Sequence, residues 1–137
     1  MVIGTLYRPP DLDINKFNVS FDLLLTKLNR QKTKFILAGD YNINLLHCDK
    51  HSETEQFLNH IFSNSCLPAI TRQTRFSATD YSLIDNIIYK IDKLQNNNNG
   101  TNNISRILIS DVSDHSPIFY WSDCSVNRKN IIEKPKF

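Results

Sequence analysis

The sequence contains little of what marks several large functional classes. Its 137 residues include only three glycines and three cysteines. With so little glycine, neither of the common phosphate-cradling patterns, GxGxxG and GxxxxGK[ST], can be written. No apolar run approaches the roughly 18 residues of a membrane span, and the amino-terminal MVIGTLYRPP lacks the basic start of an export signal. We therefore expect neither a nucleotide-loop enzyme nor an exported or membrane-anchored protein.

The cysteines do not predict a disulfide framework, because they are odd in number, widely spaced and without a CxxC pair. A reducing, intracellular compartment is the simpler expectation. Two of the cysteines belong to a group of five residues with side chains of the types that can bind zinc: His47, Cys48, Asp49, His51 and Cys66. Their spacing fits no recognised zinc pattern, so a solvated loop is the better interpretation, and Cys124 stands apart.

Composition and charge describe one folded domain. Hydrophobic residues make up 40% of the chain and charged residues 22%, which is enough to bury a core. The formal charge of +2 is too small to indicate a nucleic-acid partner by itself. Three basic residues could contact phosphates but are equally ordinary surface charges: Arg72, Arg75 and Lys90. We assign residues 1–122 to the domain and residues 123–137 to a polar tail.

The hydrophobic pattern alternates strands and helices. Strands are predicted over 2–7, 35–38, 83–89, 107–109 and 118–121, and helices over 14–30 and 53–64. Asp13 is expected to cap the first helix, and Ser52 to Glu55 match a capping box for the second. The apolar stripes of the two helices are Phe17, Phe21, Leu24, Leu25 and Leu28, and then Phe57, Leu58, Ile61 and Phe62. The unalternating run FILA at 35–38 suggests a strand covered on both faces, and the polar stretch 95–103 suggests a loop.

Three polar clusters lie against these strands: Asp40 with Asn42, Asp85 with Asn86, and Ser113 with Asp114 and His115. Ligand sites in open α/β sheets gather at the carboxyl ends of strands, where the first cluster lies. A carboxylate inside an apolar strand must face solvent or find a partner, and His115 is the nearest candidate for Asp85. We predict a hydrogen bond of roughly 2.6–3.2 Å between them.

Each cluster also has a structural alternative. Gly-Asp-x-Asn is ordinary turn chemistry, because Asx side chains bond their own backbone. Asp85 could belong to a structural ion pair, and Asp114 with His115 could be a cap or a loop pair. Together, however, carboxylates, an amide and a histidine suit phosphodiester hydrolysis with a divalent cation. No glutamate lies in a comparable context, since Glu53, Glu55 and Glu133 fall at a helix start or in the tail.

Five ordered segments resemble the endonuclease/exonuclease/phosphatase superfamily. They are YRPP at 7–10, GDYN at 39–42, TRF at 74–76, SLIDNI at 82–87 and SDHSPI at 113–118. More narrowly, YRPP, TRF and SLIDNI resemble the apurinic-type endonuclease domain that accompanies the reverse transcriptase of non-LTR retrotransposons. The resemblance covers about residues 2–121, and only the carboxyl-terminal half of that domain. We therefore expect a truncated domain.

The resemblance implies roles for individual residues. Asp40 would activate the attacking water, and Asn42 would hold the scissile phosphate. His115 would contact the phosphate, oriented by Asp85, and Asp114 would contribute to the metal site.

Tyr7, Thr74 and Ser113 would lie beside the substrate. The substrate implied by the resemblance is DNA, nicked on one strand in the nucleus so that the 3′ hydroxyl primes reverse transcription. The implied cofactor is Mg²⁺, with Mn²⁺ as the alternative ion.

The implied fold is α/β: half of a DNase I-like four-layer sandwich, with one mixed sheet of about five strands and both helices on one face. The other face would be apolar and uncovered, and would meet the missing amino-terminal half or a second copy of the chain. In the family that half supplies an asparagine and the metal-binding glutamate. Two alternatives stay open: a catalytically inactive retrotransposon remnant that at most binds DNA or a partner, and a phosphatase or RNA-directed member of the superfamily.

Overall fold

The computed structural model describes residues 1–91 and 103–122, which fold as mixed α/β structure. Its helices are α1 (Ile14–Arg30) and α2 (Ser52–Ser63), and a single 3₁₀ turn (Leu45–His47) precedes α2. The strands within these residues are β1 (Val2–Tyr7), β2 (Phe35–Asp40), β3 (Cys66–Pro68), β4 (Arg75–Phe76), β5 (Tyr81–Ser82), β6 (Asp85–Lys90), β7 (Ile104–Ile107) and β8 (Ile118–Trp121). The expectation of an α/β fold is confirmed.

A four-stranded mixed sheet organises the fold in the order β1-β2-β6-β3. Strand β1 runs parallel to β2, whereas β6 is antiparallel to both β2 and β3. The remaining strands form two separate hairpins, β4–β5 and β7–β8. A single sheet of about five strands was therefore the wrong expectation, because β8 pairs with β7 instead of joining β6.

The core lies between the two helices and one face of the sheet. Phe21, Leu25 and Leu28 of α1 are buried, as the predicted stripe requires. Four aromatic rings pack together there with centroids 5.0–6.4 Å apart: Phe17, Phe21, Tyr41 and Phe57. Aromatic pairs in this range add stabilisation beyond the area they bury. This packing holds the end of β2, where the first polar cluster lies.

The helix caps agree with the sequence at α1 but not at α2. Asp13 accepts a hydrogen bond from the Lys16 backbone N–H at 2.9 Å, as expected. The predicted capping box is wrong, because Ser52 is already helical and its hydroxyl bonds the Glu53 carboxylate. Phe62, placed on the buried stripe by the pattern, is half exposed. The helix lies one residue earlier than predicted. Its buried side chains are Thr54, Phe57 and Ile61, and Phe62 lies off this face.

Three strands have bounds that differ from the sequence prediction. The strand predicted over 35–38 is β2 and extends to Asp40. The strand predicted over 107–109 is β7 at Ile104–Ile107, since the register with β8 pairs Ile104 with Trp121 and Ile107 with Ile118. The strand predicted over 83–89 begins at Asp85. The predicted polar loop at 95–103, except its last residue, and the tail at 123–137 lie outside the described residues.

The second face of the sheet is only partly open. Phe35 and Leu37 are buried under the helices, but Ile36 and Ala38 on the other face are only partly buried, so FILA is not equally covered on both sides. The β7–β8 hairpin covers one side of this face, where the Tyr120 ring lies 5.1 Å from that of Tyr89. Towards β1 the face is open, and Ile3 there is 71% exposed.

Gly39 is required by the close pairing of β1 and β2. A Cβ atom at this position would lie 1.7 Å from the Leu6 carbonyl oxygen. We expect Gly39→Ala to lower the free energy of unfolding by roughly 3 kcal/mol, because the strands must separate to admit the methyl group. Gly4→Ala is the matched control, since its Cβ would meet only the flexible end of Leu37, at 3.0 Å. Urea unfolding of both variants measures the difference, and equal effects would contradict this account of Gly39.

Candidate active site

Three side chains of the predicted site lie in one row across the sheet. The register places Tyr7 beside Asp40, and Asp40 beside Asp85. Because side chains alternate along a strand, Asp40 points to the face opposite Leu37, away from the helices. The carboxyl ends of β1 and β2 and the start of β6 therefore bring two carboxylates and a phenol to one edge of the open face. Tyr7 is largely exposed there.

His115 lies against Asp85, as the sequence predicted. Its Nδ1 is 3.0 Å from Asp85 Oδ2 and 3.2 Å from Oδ1. An ionised carboxylate only accepts hydrogen bonds, so Nδ1 carries the proton that it donates to Asp85, and Nε2 is left for another partner. The histidine is brought here by backbone pairing, because Ser116 N–H donates to the Thr74 carbonyl at 2.7 Å and Phe76 N–H to the Asp114 carbonyl at 2.9 Å.

Thr74 fixes the orientation of Asp85. The Thr74 hydroxyl donates to Asp85 Oδ2 at 2.7 Å and accepts from the Asp85 backbone N–H at 3.1 Å. Thr74 is completely buried. This places Thr74 close to the site, as the resemblance implied, but as a support for Asp85 and not on the surface that a substrate would touch.

Asp40 and Asn42 form a turn that also carries the site. Asn42 N–H donates to Asp40 Oδ1 at 2.9 Å, which is the local turn bond that the sequence offered as the structural alternative. Asn42 has a φ of 48°, in the left-handed region that asparagine tolerates better than most residues. The turn and the site are thus compatible, because the turn holds the Asp40 carboxylate beside β6.

The buried side chain of Arg8 holds this turn in place, a role that was not predicted from the sequence. The side chain is only 3% exposed. Its guanidinium donates to three carbonyls: Tyr41 at 2.8 Å, Asn42 at 2.6 Å, and Leu12. Burial lowers the Arg8 pKa, and the nearby carboxylates, that of Asp40 first, oppose this effect. The sequence did contain a signal for this role, since Arg8 directly precedes two prolines. Because prolines have no N–H group to donate, neighbouring carbonyls need another donor, which the arginine side chain supplies.

Asp114 and Ser113 lie next to the site with other partners. Asp114 Oδ2 accepts a hydrogen bond from Arg75 Nε at 2.9 Å, and this contact lowers the Asp114 pKa. Ser113 Oγ accepts from the His115 backbone N–H at 3.1 Å, so it shapes the loop that presents the histidine. The structure therefore brings Asp40, Asp85 and His115 together, with Asp114 turned towards Arg75.

Asp40, Asp85 and His115, which we call the triad, could hold a metal ion. Each offers one ligand atom, and these atoms lie within 4.8 Å of one another. Carboxylate oxygens suit Mg²⁺ and Mn²⁺, while the imidazole is more common around transition metals. The donor set therefore fits a divalent cation at this edge of the sheet.

The other candidate ligands do not assemble in the described part of the chain. The His47 and His51 rings lie 5.6 Å apart, but the only cluster of three or more metal-type ligands in residues 1–91 and 103–122 is the triad. Cys66 is buried in the core, and this burial raises the pKa of its thiol to about 11. The Glu53 side chain bonds Ser52 at the start of α2, and Glu133 lies outside the described residues.

Comparison with known proteins does not identify a family. A scan against protein-family models gives no match for this chain, and a search of curated proteins gives no significantly similar sequence. None of the helices in the described ranges is both long and apolar enough to cross a membrane.

Proposed function

We propose that this chain is a divalent-metal-dependent phosphodiesterase domain, and specifically a DNA endonuclease of the non-LTR retrotransposon type acting in the nucleus. The observation that carries the proposal is the triad, in which Asp85 orients His115 beside the Asp40 carboxylate. A carboxylate and an oriented imidazole on one exposed edge are the groups that hydrolysis of a phosphodiester needs.

All five segments that carry the resemblance meet at this edge, which supports the proposal. YRPP provides Tyr7 and the buried Arg8, GDYN provides Asp40, and SLIDNI provides Asp85. TRF provides Thr74, and SDHSPI provides His115. Segments far apart in sequence that share a site are more informative than any one of them. The proposal extends to the fold, as one half of a DNase I-like sandwich whose open sheet face meets a second layer.

The chain's own groups divide the work as follows. Asp40 orients and deprotonates the attacking water. His115 acts as an imidazolium held by the Asp85 carboxylate, so Nε2 also carries a proton and donates a hydrogen bond to a non-bridging phosphate oxygen. Asn42 offers one amide N–H that is only loosely engaged, at 3.3 Å from Asp40 Oδ2. A Mg²⁺ or Mn²⁺ ion held by the triad carboxylates would neutralise the phosphate charge.

Supercoiled plasmid tests this function directly. With Mg²⁺ or Mn²⁺ the full chain should convert it to nicked circles, and a chelator should stop the reaction. Asp40→Asn should slow nicking by about 10²–10⁴-fold, the usual contribution of a general base. Asp49→Asn, which removes an exposed carboxylate outside the triad, in the loop before α2, is the control and should nick at the wild-type rate. If neither Mg²⁺ nor Mn²⁺ supports nicking, the proposal is refuted.

Two observations favour the inactive remnant as the second candidate. The Asp114 carboxylate, which the resemblance assigns to the metal, is engaged by Arg75, and the triad contains no glutamate. Binding of the plasmid without nicking would select this candidate. Faster turnover of a soluble phosphomonoester or of RNA than of DNA would select another branch of the superfamily.

A further inference from the structure

A second concave surface lies beside the proposed active site. It is a cavity of about 460 Å³, which we call the side cavity, between the segment before β4 and the β7 strand. Its lining includes Ile70 and Arg72 on one side, Phe76 at one end, and Arg106 with Ile107 on the other side. This volume falls within the roughly 300–1,000 Å³ of small-molecule sites.

Hydrogen bonds join one wall to the central sheet and the two walls to each other. Asn86 of β6 is buried, and its side-chain amide donates to the Ile70 carbonyl at 2.8 Å and accepts from the Ile70 N–H at 3.1 Å. The other wall is tied to this one, because the Ser105 hydroxyl donates to the Ala69 carbonyl at 2.7 Å. The side cavity is therefore preformed by the fold, and a ligand would not have to order it.

The charges around the side cavity favour an anion. Two guanidinium groups line it, and no carboxylate does so among the residues that the structure describes. Among the described residues, Arg72 has no hydrogen-bond partner. Arg106 uses only one N–H, which donates to the Ser105 carbonyl at 3.0 Å. Arginine donors that are not already satisfied are suited to phosphate, which they bind through paired N–H groups.

The remaining lining favours a flat, apolar group next to that anion. Phe76 is partly exposed, and Ile70 and Ile107 add apolar surface. Aromatic side chains stack on nucleobases of any sequence. Phosphate and base together define a nucleotide as the class of ligand.

The side cavity is linked to the site through the chain segment that carries Thr74. Gln73, in its lining, directly precedes Thr74, which bonds Asp85, and the Phe76 N–H donates to the Asp114 carbonyl at 2.9 Å. We propose that the side cavity binds one nucleotide of the strand that the triad acts on, with its phosphate on Arg72 and Arg106 and its base against Phe76. The part of this proposal that concerns the strand rests on the proposed function, whereas nucleotide binding does not need cleavage.

Binding to the full chain is measured without metal, so that cleavage plays no part. The probe is a fluorescein-labelled single-stranded DNA of about 12 nucleotides, followed by fluorescence anisotropy. Arg72→Gln combined with Arg106→Gln should weaken binding at least about tenfold and reduce its salt dependence, since two phosphate contacts are lost. Phe76→Leu should weaken binding by roughly tenfold through lost stacking.

The matched control is Lys27→Gln combined with Arg30→Gln, which removes two exposed charges from the end of α1. Equal binding by the arginine pair and this control would overturn the proposal. All five cavity and control positions are exposed, so the variants should fold, and unchanged circular dichroism checks this. Amide chemical shifts of Ile70 and Ile107 give a second measurement, and the DNA should move them in the wild-type chain.

Competition with free deoxythymidine monophosphate shows whether the side cavity binds a nucleotide within a DNA strand or a free nucleotide. If it displaces the DNA only at much higher concentration, the strand is the ligand, as proposed. If it binds as tightly as the DNA, the strand assignment is overturned. A chain that binds DNA in the side cavity but never nicks plasmid would refute the proposed function and the link to the triad, but not nucleotide binding in the side cavity. A chain that nicks normally without Arg72 and Arg106 would refute the side cavity alone.

Discussion

Replacing Arg8 by methionine is expected to lower the free energy of unfolding by about 3 kcal/mol. The substitution keeps much of the aliphatic stem but removes the hydrogen bonds that the guanidinium donates to the Tyr41, Asn42 and Leu12 carbonyls. A buried polar group that loses its partner costs about 1–3 kcal/mol, and water can reach only part of this site. Chemical denaturation monitored by circular dichroism measures the change.

Two further variants separate the fork geometry of Arg8 from its charge. Arg8→Lys keeps the charge but cannot serve three carbonyls in different directions, so it should recover less than half of the lost stability. Arg30→Met, at the exposed end of α1, should leave stability unchanged. If Arg8→Met unfolds at the same denaturant concentration as wild type, the three hydrogen bonds do not support the turn.

Replacing Asp85 by asparagine is expected to reduce plasmid nicking by about 10²–10⁴-fold with little change in fold. Asparagine has the same shape, but its amide can turn either an acceptor or a donor towards His115 Nδ1. The imidazole is then no longer held with its proton on Nδ1, so Nε2 loses its defined role towards the phosphate. Nicking assays and ¹⁵N chemical shifts of the His115 ring measure the two effects separately.

Thr74→Val provides an independent test of the same arrangement. It removes the hydroxyl that bonds Asp85 Oδ2 at 2.7 Å while nearly preserving volume, so we expect a loss of roughly 10–100-fold, typical for a supporting residue. Thr33→Val, whose hydroxyl bonds only the nearby Gln31 carbonyl, is the control. Unchanged ring shifts in Asp85→Asn together with unchanged nicking would show that the Asp85–His115 contact is purely structural.

The sequence alone predicted both helices, the longer strands and the residues of the triad, but not the short strands β3, β4 and β5. The helices were predictable because their apolar stripes repeat every three to four residues, and β1 and β2 because their apolar runs end at Pro9 and Gly39. Asp85 and His115 could be paired because a carboxylate in an apolar strand needs a partner. These signals are local, or follow from the cost of burying a charge.

Only the tertiary structure decided how those residues are supported and what surrounds them. Arg8 donates to carbonyls more than 30 residues away, Arg75 takes the Asp114 carboxylate, and Asn86 builds a wall of the side cavity. The division of the later strands between the four-stranded sheet and two hairpins could not be predicted from the sequence either. Each depends on register between distant segments, and many registers satisfy the same short apolar run, so no local pattern specifies them.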